Sequence, residues 1–269
     1  GLIAVALIGL RAAKGYGSIA GLMLVLGTGG GALVTAAFAL LGDVQVSWAT
    51  PSGVANGLNV FFGLGGLLTP LVAARIFRNN ANRLLIFAAC IAVVAFAVSS
   101  VTEMAGASGK VAFQAAQVGA LLSSPVLLIL SLALFLYVAC ECGVWNWLAR
   151  HLIAQGVPEA TALTILSLGF ALGLLLGRIA VVPVLANVTP KAVLVGAGVF
   201  MAVVTYLMLQ TGKPQLAWVL VFLTGLAMAP VFPTALGLAG AAFKEQGLSS
   251  TATGIASTCG WLGLVISSP

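Results

Sequence analysis

The sequence predicts an all-α fold, a polytopic membrane helix bundle of about nine transmembrane helices. Three observations carry this. Of 269 residues, 61% are hydrophobic and 6% charged, whereas soluble domains carry about 25% charged residues, so the chain cannot cover a water-facing surface. The apolar residues come in repeated runs, and at about 20 residues per crossing there is room for roughly nine spans with short connections. The runs are far longer than the ~9 to 11 residues of a barrel strand, and short turns of Gly, Pro and Asn separate them. Helices are the spanning structure left.

Charge and cysteine usage narrow the function classes. The net charge is +6, but the Lys and Arg residues stand singly in the connections and form no patch, so nucleic acid is not expected as a partner. Cys90, Cys140, Cys142 and Cys259 all lie in apolar runs, where free Cys behaves as a small hydrophobe. No disulfide framework follows. Cys140, Cys142 and the single His151 do not make a metal site, because helical residues two apart point to different sides.

In chain order, residues 1–10 read as the end of a first span, and Arg11, Lys14 and Tyr16 as an interfacial turn. The chain starts at Gly1 inside an apolar run, and its last run stops at Pro269 after about 17 residues, so both ends of a longer protein are expected to be missing. The second span, 18–41, carries Gly27, Gly31 and Thr35 every fourth residue. Such a stripe lets another helix approach or opens a lane for a substrate, and packing is its commoner use. Residues 43–51 connect, with Trp48 at interface depth. The third span, 53–77, places Asn56 and Asn59 on one face, where two amides need a helix or a ligand as partner. Gly63, Gly65, Gly66 and Pro70 loosen it. Arg75, Arg78 and Arg83 with three Asn residues form a polar cap before the fourth span, 84–101.

Residues 102–124 are the longest polar interval, with Glu103, Lys110 and a stretch suited to an amphipathic interfacial helix. The fifth span starts near Pro125. The sixth, 160–185, has Gly169, Gly173 and Gly177 four apart, a packing stripe, with Arg178 at its end read first as a snorkelling anchor and second as a gate partner. The seventh, 191–210, is a plain supporting helix. In the eighth, 216–243, Pro230 and Pro233 each remove a helical hydrogen bond and leave carbonyls that only protein or a wet cavity can satisfy. Thr234 beside that break either contacts a ligand or repairs the backbone. The ninth span begins near Ser250 and carries Trp261.

The residue around which the rest is organised is Glu141, the one acid that length and periodicity place well inside a span. A carboxylate there costs roughly 2.5 to 3.5 kcal/mol on insertion scales, so it belongs in a bundle interior or a wet cavity. Tyr137, Glu141 and Trp145 are four apart and share a helix face, an acid between two polar-edged aromatic plates and a wall for a small polar ligand. The competing use of Glu141 is a hydrogen bond that ties helices together.

Several stretches, taken in order, resemble the major facilitator superfamily, in its fucose permease-like branch of sugar:proton symporters. GGGALVTAAFALLGD resembles that branch's fourth helix and ANGLNVFFGLGGLLTP its fifth; YVACECGVWNWLARH is similar to the seventh, GLLLGRIA to the end of the eighth, and MAPVFPTALGLA to the tenth. The resemblance implies helices three to eleven of a two-lobed fold, with 1–101 in the N-terminal lobe, 102–124 the cytoplasmic connection and 125–269 in the C-terminal lobe. It implies a substrate held near the midplane and alternating access. Glu141, Trp145 and Asn146 match polar or aromatic positions of the seventh helix, and Asn56 and Asn59 polar positions of the fifth. On the fourth, Val34 stands where the symporters carry a cavity carboxylate just before Thr35, and Phe38 replaces an amide.

The expected substrate-binding set is therefore Glu141, Trp145, Asn146, Tyr137, Asn56, Asn59, Thr35, Phe38 and Thr234, with no catalytic residue, metal or cofactor. In the family's orientation Arg11, Lys14, Arg75, Arg78, Arg83, Arg150 and Lys213 lie outside, against Lys110, Arg178, Lys191 and Lys244 inside, opposite to the positive-inside rule. The expected protein is a monomeric, multi-pass secondary transporter of a plasma or bacterial inner membrane, embedded in the lipid bilayer. Its partners are a small polar, sugar-like solute and, through symport, protons. The alternatives are a non-transporting receptor or scaffold on the same fold, and an integral-membrane enzyme, for which one His and no paired acids supply no machinery.

Overall fold

Proline at the first helical turn and side-chain caps set many of the helix starts. The computed structural model describes residues 1–41, 49–78, 80–102 and 115–268, and every regular element among them is helical. The nine runs expected from sequence are all helical. In order they are α1 (Leu2–Ala12), α2 (Tyr16–Leu41), α3 (Pro51–Leu71, running on into a π-helical turn at Val72–Ile76) and α4 (Ala81–Val101). After a short α5 (Ala115–Leu122) come α6 (Pro125–Ala154), then α7 (Glu159–Thr164), a π-helical turn at Ile165–Phe170 and α8 (Ala171–Asn187) as one rod. The remainder is α9 (Pro190–Gln210), the broken pair α10 (Pro214–Met228) and α11 (Val231–Ala242), and α12 (Ser249–Ser267).

Among the described residues six segments are long and apolar enough to cross a membrane: Tyr16–Phe38, Ala81–Val101, Pro125–Ala154, Glu159–Asn187, Pro190–Gln210 and Pro214–Ala242. The chain is an integral membrane protein. α3 and α12, at 21 and 19 residues, dilute their apolar surface with Gly, Ser, Thr and Asn, and α1 has 11 residues. Trp48 and its connection, Asn79, and residues 103–114 of the expected inter-lobe interval lie outside the described residues; α5 occupies the end of that interval.

The chain divides into two compact units. The first comprises Gly1–Ala37 and Leu68–Lys110. In it α1 packs along α4, and α2 approaches α1 at Gly29, where an added Cβ would lie 3.0 Å from Ile3 Cγ1 and 3.2 Å from Leu2 Cβ. The expected packing stripe on α2 is thereby corrected: Gly27 and Gly31 face open space, and the glycine in contact is Gly29. Asn80 caps α4 by accepting from the Arg83 amide at 3.1 Å. The outer residues Ile91, Val93, Val94 and Phe96 of α4 are exposed, a surface fit for hydrocarbon rather than water.

The second unit comprises Phe38–Leu67 and Val111–Pro269, so most of α3 belongs with α6 to α12, meeting α8 at Gly63 and α11 at Ser52. Pro125, Pro190 and Pro214 each open a helix in the first turn, where a missing N–H is not needed. The stripe expected on α8 is the contact that seats it on α10: a Cβ at Gly173 would collide with the Phe222 carbonyl oxygen, and one at Gly177 would lie 2.6 Å from Ala229 Cβ. Gly225 of α10 returns the contact against the Phe170 carbonyl. α12 lies along α6 in the same way, with Gly263 against the Phe135 carbonyl. The break expected at Pro230 is present, and α11 restarts there with the Thr234 amide donating to the Pro230 carbonyl at 3.1 Å.

Candidate functional site

Glu141 sits near the middle of the 30-residue α6, deep in the second unit, yet it keeps part of its surface accessible. Arg178 of α8 acts on it by charge, and the Tyr137 hydroxyl and the Trp145 indole N–H face it from one turn to either side. The Tyr137 side chain is buried and its hydroxyl forms no closed hydrogen bond. Arg178 itself meets the Asn59 carbonyl and the Phe62 ring.

Arg178 corrects the sequence reading. α8 continues past it to Asn187, so the residue lies inside the rod rather than at its rim, and it is 3% exposed. A buried guanidinium needs partners, and the interior supplies some. Nη1 donates to the Asn59 carbonyl of α3 at 3.1 Å, and Cζ lies 5.4 Å from the Phe62 ring centroid. Nε is buried without a partner. An Arg within a long apolar run is the signal that marks it, by the same default that marks Glu141.

The amides of α3 are both buried. Asn56 Nδ2 donates to Thr234 Oγ1 of α11 at 2.9 Å and to the Ser52 carbonyl at 2.8 Å, while Oδ1 has no partner. Thr234 thus answers Asn56 across two helices, besides its place at the proline break. Asn59 directs Nδ2 to the Ala55 carbonyl at 3.0 Å and offers its own carbonyl to Arg178.

Aromatic rings close the cluster on two sides. Phe232 of α11 has Phe38, Tyr137 and Trp261 around it at centroid distances of 6.3, 6.4 and 6.1 Å. Beyond the acid, Trp145 meets Phe170 edge to face at 5.1 Å. Phe170 is delivered there by the π-helical turn, a local widening that often accompanies functional positions. Neither Phe232 nor Phe170 stands out in sequence, being one Phe among many in apolar runs.

Asn146 makes its bond outside this cluster. Asn146 Nδ2 donates to the Ser267 carbonyl at 3.3 Å, joined there by Trp147 Nε1 at 3.1 Å, so the pair fastens the end of α12 to α6. Thr35 belongs to the first compact unit, half-buried on α2. Among the described residues no group of three or more His, Cys, Asp or Glu gathers as a metal set. His151, at the end of α6, lies 3.1 Å from the Leu209 carbonyl.

No protein-family model and no curated protein matches the chain. A solved structure does: the E. coli fucose:proton symporter FucP, at 15% sequence identity and a TM-score of 0.67, over 99% of this chain and 80% of that one. What this chain shares with that symporter is its fold, an integral-membrane helix bundle.

Proposed function

We propose that this chain is a secondary active transporter of a small polar, sugar-like solute, working by alternating access and taking protons as the coupling ion. The observation that carries the reading is the grouping of Glu141, Arg178 and Tyr137 from two membrane helices, with unpaired buried polar atoms between aromatic rings. Charged and amide groups hydrogen-bond hydroxyls, and ring faces cover the C–H surface of a sugar. Aspartate, glutamate and arginine within a membrane mark solute or ion pathways. In this reading the lobes are 1–101 and 125–269, joined through 102–124, and the protein works as a monomer in a plasma or bacterial inner membrane without catalytic chemistry.

Counterflow in proteoliposomes tests it. Vesicles loaded with unlabelled fucose, and in parallel with galactose or glucose, are offered the same labelled sugar outside. Wild type is expected to accumulate label and Glu141→Gln to lose most of it. Retained counterflow in Glu141→Gln reduces Glu141 to a helix tie, and a wild type that exchanges none of the sugars removes the sugar reading. Proton coupling is read separately: sugar added to unbuffered vesicles should raise external pH during uptake, and a flat trace during verified uptake removes it.

A further inference from the structure

A guanidinium carries five N–H donors in a rigid plane, so fixing one of them aims the rest. At Arg178, Nη1 is fixed on the Asn59 carbonyl and the plane is held over Phe62. Nε is consequently aimed, buried and unpartnered. Two further orphan atoms stand one helical turn from these partners: Asn56 Oδ1, on α3 beside Asn59, and the Tyr137 hydroxyl, on α6 beside Glu141. An unused donor, an unused acceptor and an unused hydroxyl thus come from α8, α3 and α6.

We propose that Arg178 ties occupancy of the Glu141 site to the seating of α3. A solute hydroxyl accepts from Nε–H while Nη1 remains on the Asn59 carbonyl, so that one side chain holds the solute and α3 together. Bound solute then tightens α3 on α8, and α3 loosens when the solute leaves. The inference rests on the transport reading above. Lysine at this position keeps the charge opposite Glu141, but its ammonium lacks the rigid fork and cannot fix two directions at once. The separate Asn56–Thr234 bond keeps α3 on α11 when Arg178 is changed.

The test uses the full chain in lipid nanodiscs, with fucose as the probe, or galactose or glucose where counterflow selects one of those. Amide hydrogen exchange is followed along Pro51–Leu71 with and without sugar. In wild type the sugar is expected to slow exchange in α3 about tenfold or more. In Arg178→Lys that slowing disappears, although the sugar still binds about tenfold more weakly, as its quenching of Trp fluorescence shows at saturating concentration. Phe62→Leu, which keeps both hydrogen-bonding partners and removes the plate, gives a partial loss and decides the matter if Arg178→Lys does not fold. Sugar-dependent protection of α3 that persists undiminished in either variant overturns the proposal, as does its absence in a wild type that exchanges the sugar; transport stands in both outcomes. A wild type that exchanges no sugar overturns the transport reading, and this inference with it.

Discussion

Gly173 is where α8 and α10 touch main chain to main chain, and Gly173→Ala tests whether the site depends on that contact. An added Cβ collides with the Phe222 carbonyl oxygen and lies 3.0 Å from the Leu226 nitrogen. These are backbone atoms of a helix and cannot rotate aside. Restoring ordinary contact, about 3.5 Å or more, parts the helices by roughly 1 Å. The partner surface offers no slack, since a Cβ added at Gly225 would in turn collide with the Phe170 carbonyl and lie 3.0 Å from the Leu174 nitrogen. Overpacking of this kind costs about 1 to 3 kcal/mol. At roughly 2 to 4 °C per kcal/mol for chains of this size, Tm should fall by about 2 to 12 °C. Arg178 lies little more than one turn along the same helix, so the displacement also disturbs its 3.1 Å bond to Asn59, and counterflow should fall with Tm. Thermal unfolding followed by intrinsic fluorescence reads the first effect, with Gly196→Ala as the control because nothing lies within 4 Å of a Cβ there. Equal Tm for the two variants would refute the close crossing.

Other substitutions separate helix ties from solute contacts. Thr234→Val removes the acceptor of Asn56 Nδ2 and should cost about 1 to 3 kcal/mol in unfolding, with Thr234→Ser restoring most of it; equal stability of all three would deny the bond any role. Trp145→Phe keeps a ring against Phe170 but withdraws the indole N–H from Glu141, so counterflow should fall about tenfold at unchanged Tm. Asn146→Ala should speed hydrogen exchange at the end of α12 and leave the sugar KM unchanged, and a raised KM with an undisturbed α12 would return Asn146 to the solute. Tyr137→Phe removes an unpaired buried hydroxyl and should hold or raise Tm while lowering counterflow; a loss of stability would show that the hydroxyl supports the fold instead.

The helices were legible because length and apolarity decide what crosses a bilayer, and Pro230 broke its helix where the missing N–H required. Which face of a helix packs inward was less legible. In water a core face is apolar and the other polar, but in lipid both are apolar, so the period that marks a core face fades. α2 shows the result, since Gly27, Gly29 and Gly31 look alike in sequence and only Gly29 meets α1. On α8 the four-residue glycine stripe was a sufficient signal, because only glycine permits the backbone approach seen at Gly173 and Gly177. Arg178 was misread for a different reason: whether a cation snorkels depends on how much helix follows it, and the helix runs on through Pro183 to Asn187.

The polar groups inside the second unit sort into two kinds, and the sorting bears on function. Asn56 Nδ2 on Thr234 and Asn146 with Trp147 on Ser267 are satisfied by protein, and each joins two helices. Asn56 Oδ1, the Tyr137 hydroxyl, Arg178 Nε, Ser131 Oγ and Thr205 Oγ1 are buried and unsatisfied, and of these residues Tyr137 and Arg178 act on Glu141. An unsatisfied buried group costs about 1 to 3 kcal/mol, and a buried charge that lacks a closed partner costs more. Apolar side chains of similar volume at 137, 141 and 178 would remove that cost and pack at least as well, so stability alone gives no reason for these residue types. A polar solute entering among them does, because it supplies the missing donors and acceptors while it is bound and withdraws them when it leaves. On the proposed reading the Tyr137 hydroxyl and Arg178 Nε keep their bonds open for the solute, while Asn146 and Trp147 spend theirs on joining α6 to α12.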